Sequence, residues 1–155
     1  MARKALKMIK LVTQSDIMEA AIIHAESWKE SHKGICSAEF IASHTPERQK
    51  NYLESQIAKG AQLYLLIDRK PVGIVSVHDN IIENLYVLPE EQNKGYGTQL
   101  LTFAVGKCTK PPTLWILSTN NRAKRLYERN GFQPTGNVIQ HTNDVYELEL
   151  RLSPV

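Results

Sequence analysis

The six residues Gln92-Asn93-Lys94-Gly95-Tyr96-Gly97 are the stretch of this chain best suited to hold a ligand. An apolar, strand-like run over 81–88 precedes them, and a helix-like run over 98–105 follows. Strand, glycine loop and helix N-terminus together aim backbone N–H groups and the positive end of a helix dipole at one point, which is chemistry for a phosphate or pyrophosphate. Two glycines allow positive φ and let an anion approach where a Cβ would obstruct it. A P-loop needs four residues between its glycines and then Gly-Lys-Ser/Thr, whereas here the order is Gly95-Tyr96-Gly97-Thr98. A dinucleotide-binding GxGxxG needs glycine where Leu100 stands. A plain tight turn between strand and helix remains the competing reading of the loop. Cys36 and Cys108 are isolated, with no CxxC and no Cys/His pair at metal-ligand spacing, so no metal is expected and two reduced thiols are.

The elements that must position this loop read as mixed α/β. A first strand is expected near 6–12. Thr13-Gln14-Ser15-Asp16 supplies a helix start, and Ile17, Ala20, Ala21, His24 and Trp28 recur at helical spacing to about Ser31, with Trp28 expected in the core. Thr45-Pro46-Glu47 opens a second helix whose inner face would be Tyr52, Leu53, Gln56 and Ile57, ending at Gly60. Apolar runs over 62–68 and 72–78, parted by Asp68-Arg69-Lys70-Pro71, predict a hairpin. After the loop and its helix, which Pro111-Pro112 would stop, come a strand over 113–117 and a helix capped by Asn120 and Asn121. That helix reaches Asn130, with Gly131 as its C-terminal glycine, and a β region from Phe132 follows in which 145–150 alternates cleanly. The order β-α-α-β-β-β-α-β-α-β-β places antiparallel pairing at the start of the sheet, and all 155 residues read as one domain.

Composition narrows the classes. Hydrophobic content of 42% supports a real core, and no apolar run approaches the ~20 residues that cross a bilayer. Met1 to Leu6 begins basic, but the run over 8–12 is short and contains Lys10, so no signal peptide is read and a cytoplasmic location is expected. A net charge of +3 suits an anionic cofactor and does not argue for nucleic acid.

Two blocks carry a resemblance. Gln92-x-x-Gly95-x-Gly97, preceded by Asn84-Leu85-Tyr86-Val87-Leu88-Pro89-Glu90, resembles the acetyl-CoA-binding core of the GNAT N-acetyltransferase superfamily. The run from Asn120 to Phe132, with Tyr127-Glu128 before Gly131-Phe132, is similar to that family's next helix, and the two blocks stand in the family's order. Ala25-Glu26-Ser27-Trp28 also looks like the first helix of many small members.

The resemblance implies a single GNAT-type α/β domain: a mixed central sheet with a splayed strand pair, flanked by helices. It implies acetyl-CoA as cosubstrate and direct transfer of acetyl to a primary amine in a ternary complex. The pyrophosphate would meet Gln92, Asn93, Lys94, Gly95, Tyr96, Gly97 and Thr98. The pantetheine arm would lie between the strands 81–88 and 113–117, against Leu85, Tyr86, Val87, Asn120 and Ala123. A β-bulge near Leu85–Val87 would free an N–H to stabilise negative charge on the thioester oxygen. Tyr127 would stand beside the sulfur as general acid, since with reference pKa values of ~10 and ~8.5 full transfer to the thiolate is uphill by only ~2 kcal/mol. Glu83 is the first choice as base, with His78, Asp79 and Glu147 behind it. Arg122 and Lys124 are candidates for the 3′-phosphate. Trp28, His32 and 33–43 fall where the family builds its acceptor wall, and the acceptor amine, small molecule or peptide, is not chosen by the sequence. Many members dimerise, and nothing in the sequence marks an interface. A CoA-binding sensor or assembly module without turnover, and a regulator that binds ATP or NAD, are the readings from other classes.

Overall fold

Leu63 and Leu65 alternate with Tyr64 and Leu66 along one strand, so each face of that strand must be covered by something apolar. The computed structural model, which describes residues 7–153, covers both. Strands β1 (Lys7–Leu11), β2 (Gln62–Asp68), β3 (Lys70–His78), β4 (Ile81–Val87), β5 (Thr113–Leu117), β6 (Phe132–Gln140) and β7 (Tyr146–Leu152) form one seven-stranded sheet in the order β1-β2-β3-β4-β5-β7-β6. Helices α1 (Ile17–His32) and α3 (Pro46–Ala58) lie on one face, with Ile17, Ala20, Ala21, Ile23 and Leu53 against Leu63, Leu65 and Ile74. Helices α4 (Tyr96–Gly106) and α5 (Asn121–Arg129) lie on the other, with Leu100, Leu101, Ala104 and Tyr127 against Tyr64, Leu66, Val75 and Leu114. Among the described residues no helix is long and apolar enough to cross a membrane.

All neighbouring strands pair antiparallel except β4 and β5, which run parallel, as the helix crossover between them requires. Their ladder is a single register pair, Ile81 with Thr113, and from there the two strands part. The break in the sheet lies where α4 begins.

Several expectations need correction. A short helix α2 (Ala38–Ala42), capped by Ser37 Oγ accepting from the Phe40 amide, occupies a stretch whose apolar residues are too few to show a period. Helix α3 buries Gln49 and Leu53, an i, i+4 stripe that fits the groove of one neighbouring helix; Tyr52 and Ile57 stay 37% and 39% exposed. Helix α4 stops at Gly106, well before Pro111, because Asn80 Oδ1 takes the Thr109 amide at 2.8 Å and draws the chain into a turn. Asp16 opens α1 without capping it: its carboxylate accepts from Thr13 and pairs with Lys10 at 2.8 Å. Leu6, at the start of the expected first strand, lies outside the described residues.

Candidate active site

The loop is shaped by two left-handed residues, Asn93 at φ 65° and Gly95 at φ 86°. After them the amides from Asn93 to Thr98 meet no backbone acceptor among the described residues; the Gln99 amide is the first to do so, on the Gly95 carbonyl at 3.1 Å. A run of unpaired donors at a helix start is an anion cradle. Gly97 serves a second need, since a Cβ there would come 3.2 Å from Leu126 Cδ2 where α5 passes the first turn of α4.

The side chains of the loop are occupied elsewhere. Lys94 Nζ lies 2.9 Å from Glu91, and Lys70 Nζ lies 3.2 Å from the same carboxylate. Hydrogen bonds from Lys94 and then Lys70 hold the Glu91 carboxyl below its usual range, and because two lysines share this one carboxylate the cluster keeps a net positive charge. Tyr96 buries its ring in the core and donates its hydroxyl to Asp68 at 2.6 Å. Gln92 Nε2 donates to the Val87 carbonyl at 3.1 Å and to Glu30 at 3.1 Å, while Ser27 Oγ donates to the same carbonyl at 3.0 Å. Gln92 and Ser27 thus tie the loop and α1 to the end of β4. Ser27 fell within the Ala25–Trp28 run, but nothing in the sequence linked it to β4.

Where β4 and β5 part, a cleft of about 560 Å³ opens, lined by Leu85, Tyr86 and Val87 from β4, by Gln92, Asn93 and Gly95 to Thr98 from the loop, and by Asn120, Ala123, Leu126 and Tyr127. The Leu88 amide bonds back to Val72 on the β3 side, so strand alternation turns the Val87 amide toward the gap. The bulge is present, one step earlier than expected. Between the pairs Ile74–Tyr86 and Ser76–Glu83, β3 contributes Val75 alone and β4 contributes both Asn84 and Leu85, with Asn84 at φ 52°. Asn120 Oδ1 caps α5 by accepting from the Ala123 amide at 3.1 Å, which leaves its Nδ2 to face the cleft.

Tyr127 is 7% exposed, with its ring edge-on to Phe132 at 5.8 Å. It lines the cleft, and its hydroxyl, which makes no hydrogen bond among the described residues, is open to the cleft and not sealed in the core. Burial pushes its phenol above the usual tyrosine value. Tyr86 is raised as well, by burial first and then by Tyr52, Tyr127 and Glu147.

The carboxylate candidates are spread out. Glu83 sits on β4 just before the bulge, half-buried, outside the lining of the cleft and close enough to Tyr52 to raise that phenol after burial has done so. Glu147 on β7 lies 3.2 Å from His141 Nε2, and its charge acts on Tyr86 and His32. His78 and Asp79 stand at the β3–β4 turn, the far end of β4, where they line a separate hollow with Gly60 and Lys107. Cys108 follows α4 as a free thiol, its pKa raised by burial, also away from the cleft.

Two groups of residues take their surroundings from the tertiary structure. Arg122, Arg125 and Arg129 line the cleft from α5 and make no ion pair among the described residues, while Lys124 points elsewhere. Their i, i+3, i+7 spacing was legible as a basic helix face. Trp28 belongs to neither apolar cluster; it is sandwiched between His32 at 3.8 Å and His44 at 3.5 Å, with Phe40 edge-on at 5.9 Å. The expectation of a core tryptophan is corrected, because α2 brings Phe40 and His44 up to a side chain that the sheet does not reach.

The comparisons agree with this fold. Residues 59–134 match the family model described as acetyltransferase (GNAT) domain. No curated protein matches the sequence. Among solved structures, the paia N-acetyltransferase of Thermoplasma acidophilum in complex with coenzyme A is 23% identical, over 93% of this chain and 98% of that one, with a TM-score of 0.68. The structure of yncA from Salmonella typhimurium, with its cofactor acetyl-CoA, is 17% identical over 97% and 96%, with a TM-score of 0.68. A GNAT-family acetyltransferase from Bacillus cereus is 14% identical over 97% and 99%, with a TM-score of 0.72.

Proposed function

This chain has the GNAT acetyltransferase fold and its central segment matches the GNAT domain, and from that premise we propose that it transfers acetyl from acetyl-CoA directly to a primary amine. The observation that carries this reading is the buried Tyr127, whose unpartnered hydroxyl lines the same cleft as the unpaired loop amides. Binding alone would need only the second feature.

The residues present fit an extended anionic thioester. Amides from Asn93 to Thr98 take the pyrophosphate, each helix-terminal contact being worth ~0.3–1 kcal/mol or more when partly buried. Arg122, Arg125 and Arg129 supply charge along the rim, while Lys94 is held against Glu91. The Asn120 side-chain amide and the backbone of Leu85 to Val87 hold the pantetheine arm. When bound, acetyl-CoA supplies an activated acyl group and a thiolate leaving group.

The Val87 amide is placed to donate to the thioester oxygen as that oxygen gains negative charge. Tyr127 donates a hydrogen bond to the departing sulfur. Its raised pKa makes complete proton transfer harder than reference values suggest, but the same cleft raises the pKa of a thiol held in it. A neutral phenol at every working pH is the better donor for this task. Glu83, directly or through a water, takes the proton from the incoming ammonium; Glu147 is the second carboxylate on this side of the molecule.

A thiol-release assay over a panel of amines, including peptides with free N-termini, tests the reading. Release of CoA with at least one amine is expected. CoA binding without release from any of them would favour a sensor or assembly module, and competition by ATP or NAD in place of CoA would favour a nucleotide-binding regulator.

A further inference from the structure

The bulge of β4 is held by a chain of side chains, buried at Gln49, His24 and Ser76, that no loop or cleft residue supplies. Gln49 Nε2 on α3 donates to His24 Nδ1 on α1 at 2.8 Å. His24 Nε2 in turn donates to Asn84 Oδ1 at 3.2 Å, and the Tyr52 hydroxyl reaches the same oxygen at 3.4 Å. Asn84 Nδ2 donates to Ser76 Oγ at 3.1 Å, and Ser76 Oγ donates to the carbonyl of Glu83, also at 3.1 Å. The direction is consistent throughout: with Nδ1 accepting from Gln49, the proton of a neutral His24 must sit on Nε2, where Asn84 accepts it. His24 is 3% exposed and also packs edge-on against Tyr86, at 4.9 Å between ring centroids.

This arrangement does more than satisfy buried groups. Asn84 adopts φ 52°, a left-handed conformation that asparagine takes more readily than most residues and that its side-chain bonds fix here. Every polar atom of its side chain is engaged, by α1, α3 and β3 together. The residues that follow it, Leu85 to Val87, carry the amides that face the cleft. A change of register at Asn84 would turn the Val87 amide back toward β3.

We infer that His24 is a positioning residue which, through Asn84, sets the register of the β4 bulge and so aims the Val87 amide at the acyl oxygen of a bound thioester. The inference rests on the acetyl-CoA reading above. It separates two parts of one ligand: the acyl carbonyl depends on the bulge, while the pyrophosphate depends on the loop 92–98, which shares no hydrogen bond with this chain of side chains.

The test compares dissociation constants for acetyl-CoA and for CoA, measured by calorimetry, in the wild-type chain and in His24→Ala, His24→Gln and Asn84→Gly. A lost neutral hydrogen bond predicts that His24→Ala weakens acetyl-CoA by about three- to tenfold. CoA, which keeps the pantetheine arm but lacks the thioester oxygen, is expected to weaken less, so that acetyl-CoA loses about threefold or more relative to CoA on the same principle. His24→Gln keeps a donor toward Asn84 and should restore most of the difference, which a merely structural role would not produce. Asn84→Gly tolerates the same φ while deleting every link, so it should repeat the loss even if His24→Ala fails to fold. Equal weakening of both ligands, or weakening of neither, overturns the inference. A chain that binds neither ligand overturns the acetyl-CoA reading and the inference together.

Discussion

At the scale of single residues, the proposed chemistry rests on Tyr127 and one carboxylate. Removing a hydrogen bond to a charged or developing charge costs about 1.5–3 kcal/mol, so Tyr127→Phe should lower kcat by roughly 10- to 100-fold. Because the loop amides are untouched, the dissociation constant for CoA should hold within about twofold. Steady-state kinetics beside direct binding checks this, and unchanged turnover would remove Tyr127 from the mechanism. Glu83→Gln should move the acid limb of the kcat/KM profile to higher pH, since the amine must then lose its proton without help. An unaltered profile in that variant, with a shifted one in Glu147→Gln, would assign the base to Glu147. The motif suggested the role of Tyr127 and a place on the expected acetyl-bearing strand suggested that of Glu83, but neither gave their surroundings. Tyr127 became a credible donor only when its hydroxyl was found without a partner, and Glu83 proved to lie outside the cleft lining.

At the scale of elements, the loop between β4 and α4 was the most legible part of the chain. Its signals are local: a glycine at positive φ, a proline opening the turn, an apolar run on either side. Gly95→Ala keeps the sequence helical after the loop but forces a Cβ into the left-handed region, at a cost of roughly 1–2 kcal/mol. Displaced amides should weaken CoA binding by about tenfold with little change in the acetyl-CoA to CoA ratio, the reverse of the pattern expected for His24→Ala. Calorimetry with both ligands distinguishes the two. Gly73 answers to packing instead, for a Cβ there would stand 2.7 Å from Leu100 Cδ1 and 3.0 Å from the Tyr86 carbonyl. Gly73→Ala should therefore cost about 1–3 kcal/mol of stability by denaturant unfolding, with β3, β4 and α4 pushed apart. Helix α2 escaped the sequence reading because five residues with mixed polarity carry no usable period.

At the scale of the whole molecule, buried charge balance sets the response to acid. Burial holds His24 at a pKa of about 4 against an ordinary 6.5, with the charges of His44 and His32 pushing the same way and the bond to Asn84 opposing. The other groups around it, Gln49, Asn84, Tyr52 and Tyr86, are neutral. Between these two values the unfolded chain takes up a proton that the folded chain refuses. Stability is thus complete above pH 6.5 and falls as the pH drops toward 4, by about 3 kcal/mol in all. Asp16, lowered to about 2 by Lys10 and Thr13, adds a further loss below 3.8. Urea unfolding from pH 7 to pH 4 should show this decline, and His24→Gln should flatten it. A wild-type curve without the decline would mean that His24 is protonated in the fold.

Local order and global placement divide the credit for what is known of this protein. Strand alternation, caps, glycine positions and the two motif blocks depend on neighbours within a turn or two of chain, and from them came the mixed α/β order and the proposals of a phosphate loop and of acetyl-CoA. The Lys94–Glu91 pair and the arginine face of α5 were local as well, at i, i+3 and i, i+3, i+7. Only the tertiary structure decided which donors were left free, because that depends on acceptors brought from far along the chain. His24 and Asn84 are 60 residues apart, as are Ser27 and Val87, and no period in the sequence links such positions. Burial itself is the reason: desolvation turns an ordinary histidine, tyrosine or asparagine into a group that must be bonded or must act, and burial is a property of the packed molecule.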